Sequence, residues 1–341
     1  MDLPKLNHML ACYAVFLATG HTVAQRQIKA STIRNYLAAS ASFLQLFDGV
    51  PHRDARHDPF SHTTCQPINS VLQHVNKFEK IPDRVEPYTL AMQKALHSRI
   101  NPTHLPFRDS RQTALFQWFG VALQGGNRRC EWCQLPKHRK LSTFELAPTG
   151  ESRAFTLSDI SFLSARMRAI NLTTALRDRD SVQFAVVTYR WQKNGDHGER
   201  KTYTRNLSNT ACDSVGHLLS ICDRYVRLLG PSPPTDKPLA VYATSTGQVL
   251  HLTSDDATSL MRSLAKEVYD VTTPHGSRKW TCHSLRVGAC CILWAMGHVG
   301  EFIQRALRWR SASWKDYIRD LTVQARAHNT AISNSWDLPA F

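Results

Sequence analysis

The 341-residue sequence contains no run of 18 apolar residues, so a membrane-spanning helix is not expected. Its nearest approach to a targeting signal, residues 9–18, follows Asp2 and leads to no clean small-x-small cleavage site, so it reads as a buried first helix. Cysteine occurs nine times, an odd number scattered over a long chain, which argues against a disulfide framework and for a reducing compartment. No internal repeat or low-complexity tract is visible. Acidic side chains are few: 27 Asp and Glu stand against 42 Lys and Arg, a formal net charge of +15. With 42% apolar and 20% charged residues, the composition excludes a disordered chain, a collagen and a coiled coil. The length exceeds what one hydrophobic core usually covers, so two domains are expected.

A strongly basic chain needs an acidic partner, and nucleic acid is the commonest one. Residues 1–86 hold 9 basic and 7 acidic side chains, whereas 87–341 hold 33 and 20. The polyanion-facing part is therefore the C-terminal portion, unless the charge serves only solubility.

Periodicity and turn chemistry predict a mainly α protein with one small antiparallel β-sheet. Residues 1–80 form a helical domain, 81–87 a linker marked by Pro82 and Pro87, and 88–341 a second domain ending in a tail, 328–341. In the first domain Ser31 is placed to cap a helix whose Ile33, Tyr36, Leu37, Phe43, Leu44 and Phe47 share one face; a second helix covers Ile68 to Phe78. In the second domain, helices are expected over 88–100 and 110–124, the latter ended by Gly125-Gly126. Residues 155–163 and 181–191 are β-like, and Lys193 to Gly198 has the chemistry of a hairpin turn, with 201–205 as the returning strand. Helices follow at 212–229, 254–269, 283–296, 299–308 and 312–327.

Several residues stand in a pattern that carries chemistry. His283-Ser-Leu-Arg286 opens a helix, and its i, i+3 spacing puts an imidazole and a guanidinium on one face. Trp309 follows Arg286 by 23 residues, and Tyr317 follows Trp309 by 8. Upstream, Gly125-Gly126-Asn127-Arg128-Arg129-Cys130-Glu131 places an arginine just after a glycine turn with a carboxylate three residues on. The hairpin bearing Lys193 lies between these two motifs.

In this order the residues resemble the tyrosine recombinase, or phage integrase, family. By that resemblance Arg128, Lys193, His283, Arg286, Trp309 and Tyr317 are the catalytic set, and Glu131 orients an arginine. The run Ala30-Ser-Thr-Ile-Arg-Asn-Tyr-Leu is similar to the core-binding domain that clamps DNA in such enzymes. The resemblance covers about 87–327 and implies a site-specific recombinase or integrase that cuts and rejoins double-stranded DNA through a 3′-phosphotyrosine at Tyr317. It also implies a homo-oligomer, dimeric on one site and tetrameric on two, that passes through a Holliday junction. Lys29, Arg34, Arg129, Lys279 and Arg310 are candidate DNA contacts, and Trp336 and Phe341 in the tail could dock on a neighbouring subunit. Asp159, which resembles the family's acidic first-strand residue, comes 31 positions after Arg128, so an insertion over about 136–153 is expected. The runs Arg308-Trp-Arg-Ser-Ala-Ser-Trp-Lys-Asp-Tyr317 and Gln192-Lys-Asn-Gly195 look more like those of the Crypton and DIRS recombinases of eukaryotic mobile elements. That origin implies a nuclear location, and any other a cytoplasmic one.

The chemistry fits these residue types. A tyrosine hydroxyl can attack phosphorus in line, and two always-charged guanidinium forks suit the non-bridging oxygens of the transition state. His283 can take or share the tyrosine proton, Lys193 can protonate the leaving 5′ oxygen, and Trp309 offers only an N–H donor. The scheme calls for no metal, ATP or other cofactor, and no membrane or small-molecule substrate. Each residue also has a plainer reading. Tyr317 and Trp309 suit a core, Lys193 a solvated turn, and Arg128 and Arg129 a solvated helix start paired with Glu131. Cys130, Cys133 and His138 hint at zinc but lack a second ligand pair. The rival functions are a type IB topoisomerase-like nicking-resealing enzyme and a catalytically silent, domesticated DNA-binding protein. An RNA partner ranks last, because no aromatic-rich RNA-binding motif is present.

Overall fold

The computed structural model describes residues 3–20, 28–47, 54–58, 60–78, 84–100, 108–134, 153–192, 197–230, 232–309 and 311–318. The chain divides between Asp83 and Arg84 into two units. Among the described residues no helix is long and apolar enough to cross a membrane.

The first unit contains helices α1 (Leu3–Ala18), α2 (Ala30–Phe47) and α3 (Gln66–Phe78). Leu6, Leu10, Ala14 and Leu17 recur at helical spacing on α1 and bury themselves against Ile33, Leu37 and Ala41 of α2 and Ile68 and Leu72 of α3. Three helices can cover only a narrow stripe of one another. The apolar face expected on α2 is accordingly too wide, for Tyr36 and Phe43 are exposed, and α1 is buried on one side only, with Met9, Val15 and Phe16 outside. Ser31 does not cap α2. The N–H groups of Thr32 and Ile33 both donate to the Lys29 carbonyl, so the helix begins two residues earlier than expected and Ser31 lies in its first turn.

In the second unit α4 (Leu90–Ile100) and α5 (Arg111–Gly125) pack together, and a four-residue α6 (Arg129–Trp132) follows. Ser110 caps α5 through the Thr113 N–H, and Gly126 ends it in the left-handed region at φ 58°. A four-stranded antiparallel sheet, in the order β2-β1-β3-β4, is built from β1 (Ile160–Leu163), β2 (Ala169–Ile170), β3 (Phe184–Tyr189) and β4 (Glu199–Thr204). The β3–β4 hairpin runs in register from Phe184↔Thr204 to Tyr189↔Glu199. Helix α7 (Leu172–Arg177) sits between β2 and β3, and α8 (Ser214–Leu229) packs on α5. A separate hairpin, β5 (Val241–Ala243) with β6 (Val249–His251), precedes α9 (Ser254–Tyr269), α10 (Pro274–Ser277), α11 (Ser284–Ala295) and α12 (Gly300–Ala306).

The mainly α class with antiparallel β-structure is what the sequence suggests, with four differences. There are two sheets, because β5 and β6 are too short for their alternation to register. Residues 157–159 form a 3-10 turn, in which the Asp159 carboxylate accepts from the Thr156 N–H at 2.8 Å, so only Ile160–Leu163 is strand. Helix α12 is shorter than expected. Residues 312–317 are a 3-10 helix and Ile318 is extended, so the α-helix expected from 312 onward does not form there. Thiols of α11 reach two carbonyls of this segment: Cys290 donates to Trp314 O at 3.6 Å and Cys291 to Tyr317 O at 3.2 Å. Residues 84–87 pack with the rest of the second unit through Glu86 N–H to Lys279 O and Trp280 Nε1–H to Pro87 O.

Helix α11 crosses the Tyr88 backbone at Gly288, where an added Cβ would stand 2.0 Å from the Tyr88 carbonyl oxygen. Backbone cannot swing aside as a side chain can, so Gly288→Ala is expected to destabilise the second unit by about 2 kcal/mol or more. All eight tryptophans lie beyond residue 83. Tryptophan fluorescence in a urea titration therefore follows this unit, and an unchanged midpoint would contradict the close approach.

Candidate active site

One cleft of about 780 Å³ opens on the second unit, and Arg128, Arg129, His283, Arg286, Trp309 and Tyr317 all line it. Their positions follow from packing. Trp132, at the end of α6, is buried against Trp118 (rings stacked 5.7 Å apart) and Phe119, which fixes this short helix on the core. Arg128 is its N-cap residue. The Glu131 carboxylate reaches back to the Arg128 N–H at 2.8 Å and to Arg128 Nη1 at 3.3 Å. After α6, Gln134 bonds to Leu252 O and Ser254 N–H to Gln134 O, so the start of α9 forms another wall of the cleft.

His283 sits at the N-terminus of α11, and Arg286 lies one turn on, buried. Arg286 donates to the carbonyls of Gly126 and, at 2.9 Å, of Leu307. The left-handed turn at Gly126 aims that carbonyl, and a Cβ there would meet Leu307 Cδ2 at 2.7 Å. The Arg286 guanidinium lies over the Trp309 ring, 4.8 Å from its centroid, and Trp309 stacks on Tyr317 at 5.1 Å and 24°. The structure thus engages Trp309 through its ring faces. The Tyr317 hydroxyl is 3.1 Å from His283 Nε2. Beneath it Ala289, Cys290, Ile303, Leu307 and Trp314 form a small apolar cluster of their own, so the tyrosine rests on a packed floor.

The electrostatics are those of an anion site. Burial, and then the nearby Arg128 and Arg308, press the Arg286 pKa down to about 9. Arg308, which the sequence reading did not single out, is buried beside Glu131 at 3.2 and 3.0 Å. Burial opposes its charge, but Tyr189 and Glu131 outweigh that and hold its pKa above the ordinary value. Two guanidinium groups, of Arg128 and Arg308, therefore share one buried carboxylate whose field Arg286 also feels, and removing that carboxylate would cost about 3–5 kcal/mol. Arg262 is a second residue the sequence reading missed: it lines the cleft and donates to Trp280 O at 3.3 Å. Its place on the α9 face was not separable by pattern from a solvated charge.

The remaining candidates are elsewhere. Lys279 is outside the cleft, 3.9 Å from Glu86. Lys29 and Arg34 are exposed on the first unit. Lys193 lies outside the described residues, within the β3–β4 connection; Arg310, the tail 328–341 with Trp336 and Phe341, and nearly all of the 136–153 insertion are outside them too. Cys133, one of the hinted zinc ligands, faces Cys282 with sulfurs 3.7 Å apart, and His138 is not described. Among the described residues no cluster of His, Cys, Asp or Glu could hold a metal ion.

No protein-family model matches the chain, and no curated protein does. Among solved structures the chain is similar to the Tn1549 transposon integrase in complex with transposon right-end DNA, at 12% identity over 96% of this chain and 85% of that one, TM-score 0.46. It is similar as well to the XerA recombinase, at 14% identity over 99% and 92%, TM-score 0.41. A third is the XerH site-specific recombinase bound to a palindromic difH substrate, at 14% identity over 97% and 72%, TM-score 0.45.

A lysine on β4 contributes to the site from behind. Lys201 donates at 2.7 Å to the carbonyls of Gln124 and Ala306, in the last turns of α5 and α12, just before the segments that carry Arg128 and Trp309. Burial, helped by Arg308 and Arg286, lowers its pKa from 10.5 to about 8. The unfolded chain then binds more protons than the native one between these values, so Lys201 disfavours folding below about pH 8 and the penalty fades as pH rises to 10.5. Relative to Lys201→Met, the wild type is expected to gain on the order of 3 kcal/mol across that window. Parallel stability–pH curves for the two proteins would contradict this.

Proposed function

We propose that this protein is a DNA strand transferase of the tyrosine recombinase type, cutting and rejoining double-stranded DNA through a covalent phosphotyrosine at Tyr317. The observation that carries the reading is the placement of a tyrosine hydroxyl, hydrogen-bonded to His283, at the edge of a cleft with Arg128 and Arg286. A hydroxyl beside an imidazole is a nucleophile with a proton acceptor, and the guanidinium pair matches the oxygens of a phosphodiester.

In the proposed reaction Arg128 and Arg286 bind the non-bridging oxygens and Trp309 holds the Tyr317 ring. The Tyr317 oxygen attacks phosphorus as its proton passes to His283. The bond to the 5′ oxygen breaks, and that oxygen takes a proton, for which Lys193 is the proposed donor. A phosphodiester is exchanged for a phosphotyrosine diester, so the bond energy is retained and a 5′ hydroxyl can reverse the step. Attack by the 5′ hydroxyl of a second duplex gives recombination. That exchange requires cleaved partners held together, which favours a homo-oligomer: a dimer on each site and a tetramer on two. Arg129 and Arg262 in the cleft, with Lys29 and Arg34 on the first unit, are proposed as backbone contacts, so affinity should fall steeply with salt.

The test incubates wild type and Tyr317→Phe with a randomised duplex library containing nicks that trap cleaved strands, then sequences the DNA that survives detergent bound to protein. Wild-type adducts sharing an inverted repeat, absent from Tyr317→Phe, are expected. Arg286→Ala should slow their formation by about 10²–10³-fold. Tyrosine-dependent adducts without sequence preference would mean a topoisomerase-like enzyme, and salt-sensitive binding with no adduct would mean a DNA-binding protein without turnover.

A further inference from the structure

Residues 307, 308 and 309 each hold a different part of the cleft. The Leu307 carbonyl accepts from Arg286, and the Trp309 ring lies between Arg286 and Tyr317. Arg308, between them, turns the opposite way. Its guanidinium binds both oxygens of Glu131 at 3.2 and 3.0 Å, donates to Gln192 Oε1 at 3.2 Å, and lies 3.4 Å from the Tyr189 ring centroid. Glu131 and Gln192 are also the partners of Arg128, at 3.3 and 3.5 Å.

The backbone makes this arrangement costly. Arg308 has φ 57°, in the left-handed region that favours glycine, and only four described residues other than glycine adopt it. A long charged side chain is therefore kept where glycine would fit without strain, and it is aimed away from the cleft. It is buried, and its guanidinium faces Glu131, Gln192 and Tyr189 rather than the cleft.

We infer that Arg308 is a positioning residue for strand cleavage: its bidentate bond to Glu131 ties the Trp309 turn to the capped start of α6, so that Arg128 and the Trp309–Tyr317 stack keep one geometry. The inference rests on the reading of Tyr317 as the nucleophile. It adds a residue whose contribution is made through Glu131 and Trp309 rather than through DNA. A buried fork of this kind locks both turns, whereas a lysine keeps the charge but can engage only one carboxylate oxygen well.

The experiment compares wild type, Arg308→Gly and Arg308→Lys as full-length chains. Glycine is the informative replacement because it relieves the left-handed backbone while removing the fork. Arg308→Gly is expected to bind the randomised nicked library within about threefold of wild type and to form Tyr317-dependent adducts about 100-fold more slowly, the usual scale for a misplaced reacting group. Arg308→Lys should fall between them. A readout independent of turnover is the fluorine spectrum of protein labelled with 5-fluorotryptophan, with Trp309→Phe assigning the Trp309 signal. Arg308→Gly should shift or broaden that signal and leave Trp118, in the core stack, unchanged. An unmoved Trp309 signal overturns the inference whether or not adducts form, as does wild-type adduct formation by Arg308→Gly, or a loss of binding and folding equal to its loss of adducts. Absence of adducts from wild type, with Trp309 shifted in the variant, sinks the functional reading and leaves the positioning intact.

Discussion

Like charges a few ångströms apart repel strongly where water is excluded, yet the second unit gathers Arg128, Arg286 and Arg308 around the buried carboxylate of Glu131. Glu131 is what makes the gathering tolerable. It accepts from the backbone of Arg128, from its side chain and from both ends of the Arg308 fork. Four-residue α6 is too short to hold itself together, so its place depends on Trp132 in the aromatic core and on Glu131 at its start. The carboxylate therefore connects core packing to the charge pattern of the cleft.

The surplus positive charge left over would favour an anion in the cleft. Arg286 feels it most, buried and with its pKa pressed down, and a phosphodiester would supply the missing counter-charge where Tyr317 can reach it. Carbonyls do the rest of the positioning. Gly126 and Leu307 hold Arg286, while Gln124 and Ala306 hold Lys201 from the other side. Two turns far apart in sequence, after α5 and after α12, are thus cross-linked by two cations, the buried Arg286 and the half-buried Lys201. Such a site is organised before any ligand arrives, and its groups have little freedom to be lost on binding.

Arg128, His283, Arg286, Trp309 and Tyr317 were legible because side-chain type, order and spacing carry chemistry even when the fold is unknown. Helices such as α5, with Ser110 at one end and Gly126 at the other, were legible for the same local reason. Arg308 was not, although it adjoins Trp309, because an arginine that turns inward at a left-handed position looks like any solvated charge in a one-dimensional pattern. The extent of the helix at Tyr317 was misread because Trp314, Tyr317 and Ile318 have helical spacing. Thiols from a different helix bond to the carbonyls there, and that contact is tertiary. Short β5 and β6 were overlooked because three residues are too few to show a period.

The most direct measurement locates the covalent bond. Wild-type protein trapped on the nicked duplex library would be digested with trypsin and nuclease and analysed by mass spectrometry. The account predicts a nucleotide phosphate on the hydroxyl of Tyr317, within peptide 316–319, and on no other residue. An adduct carried by a different side chain would contradict it, and so would adduct formation that persists in Tyr317→Phe.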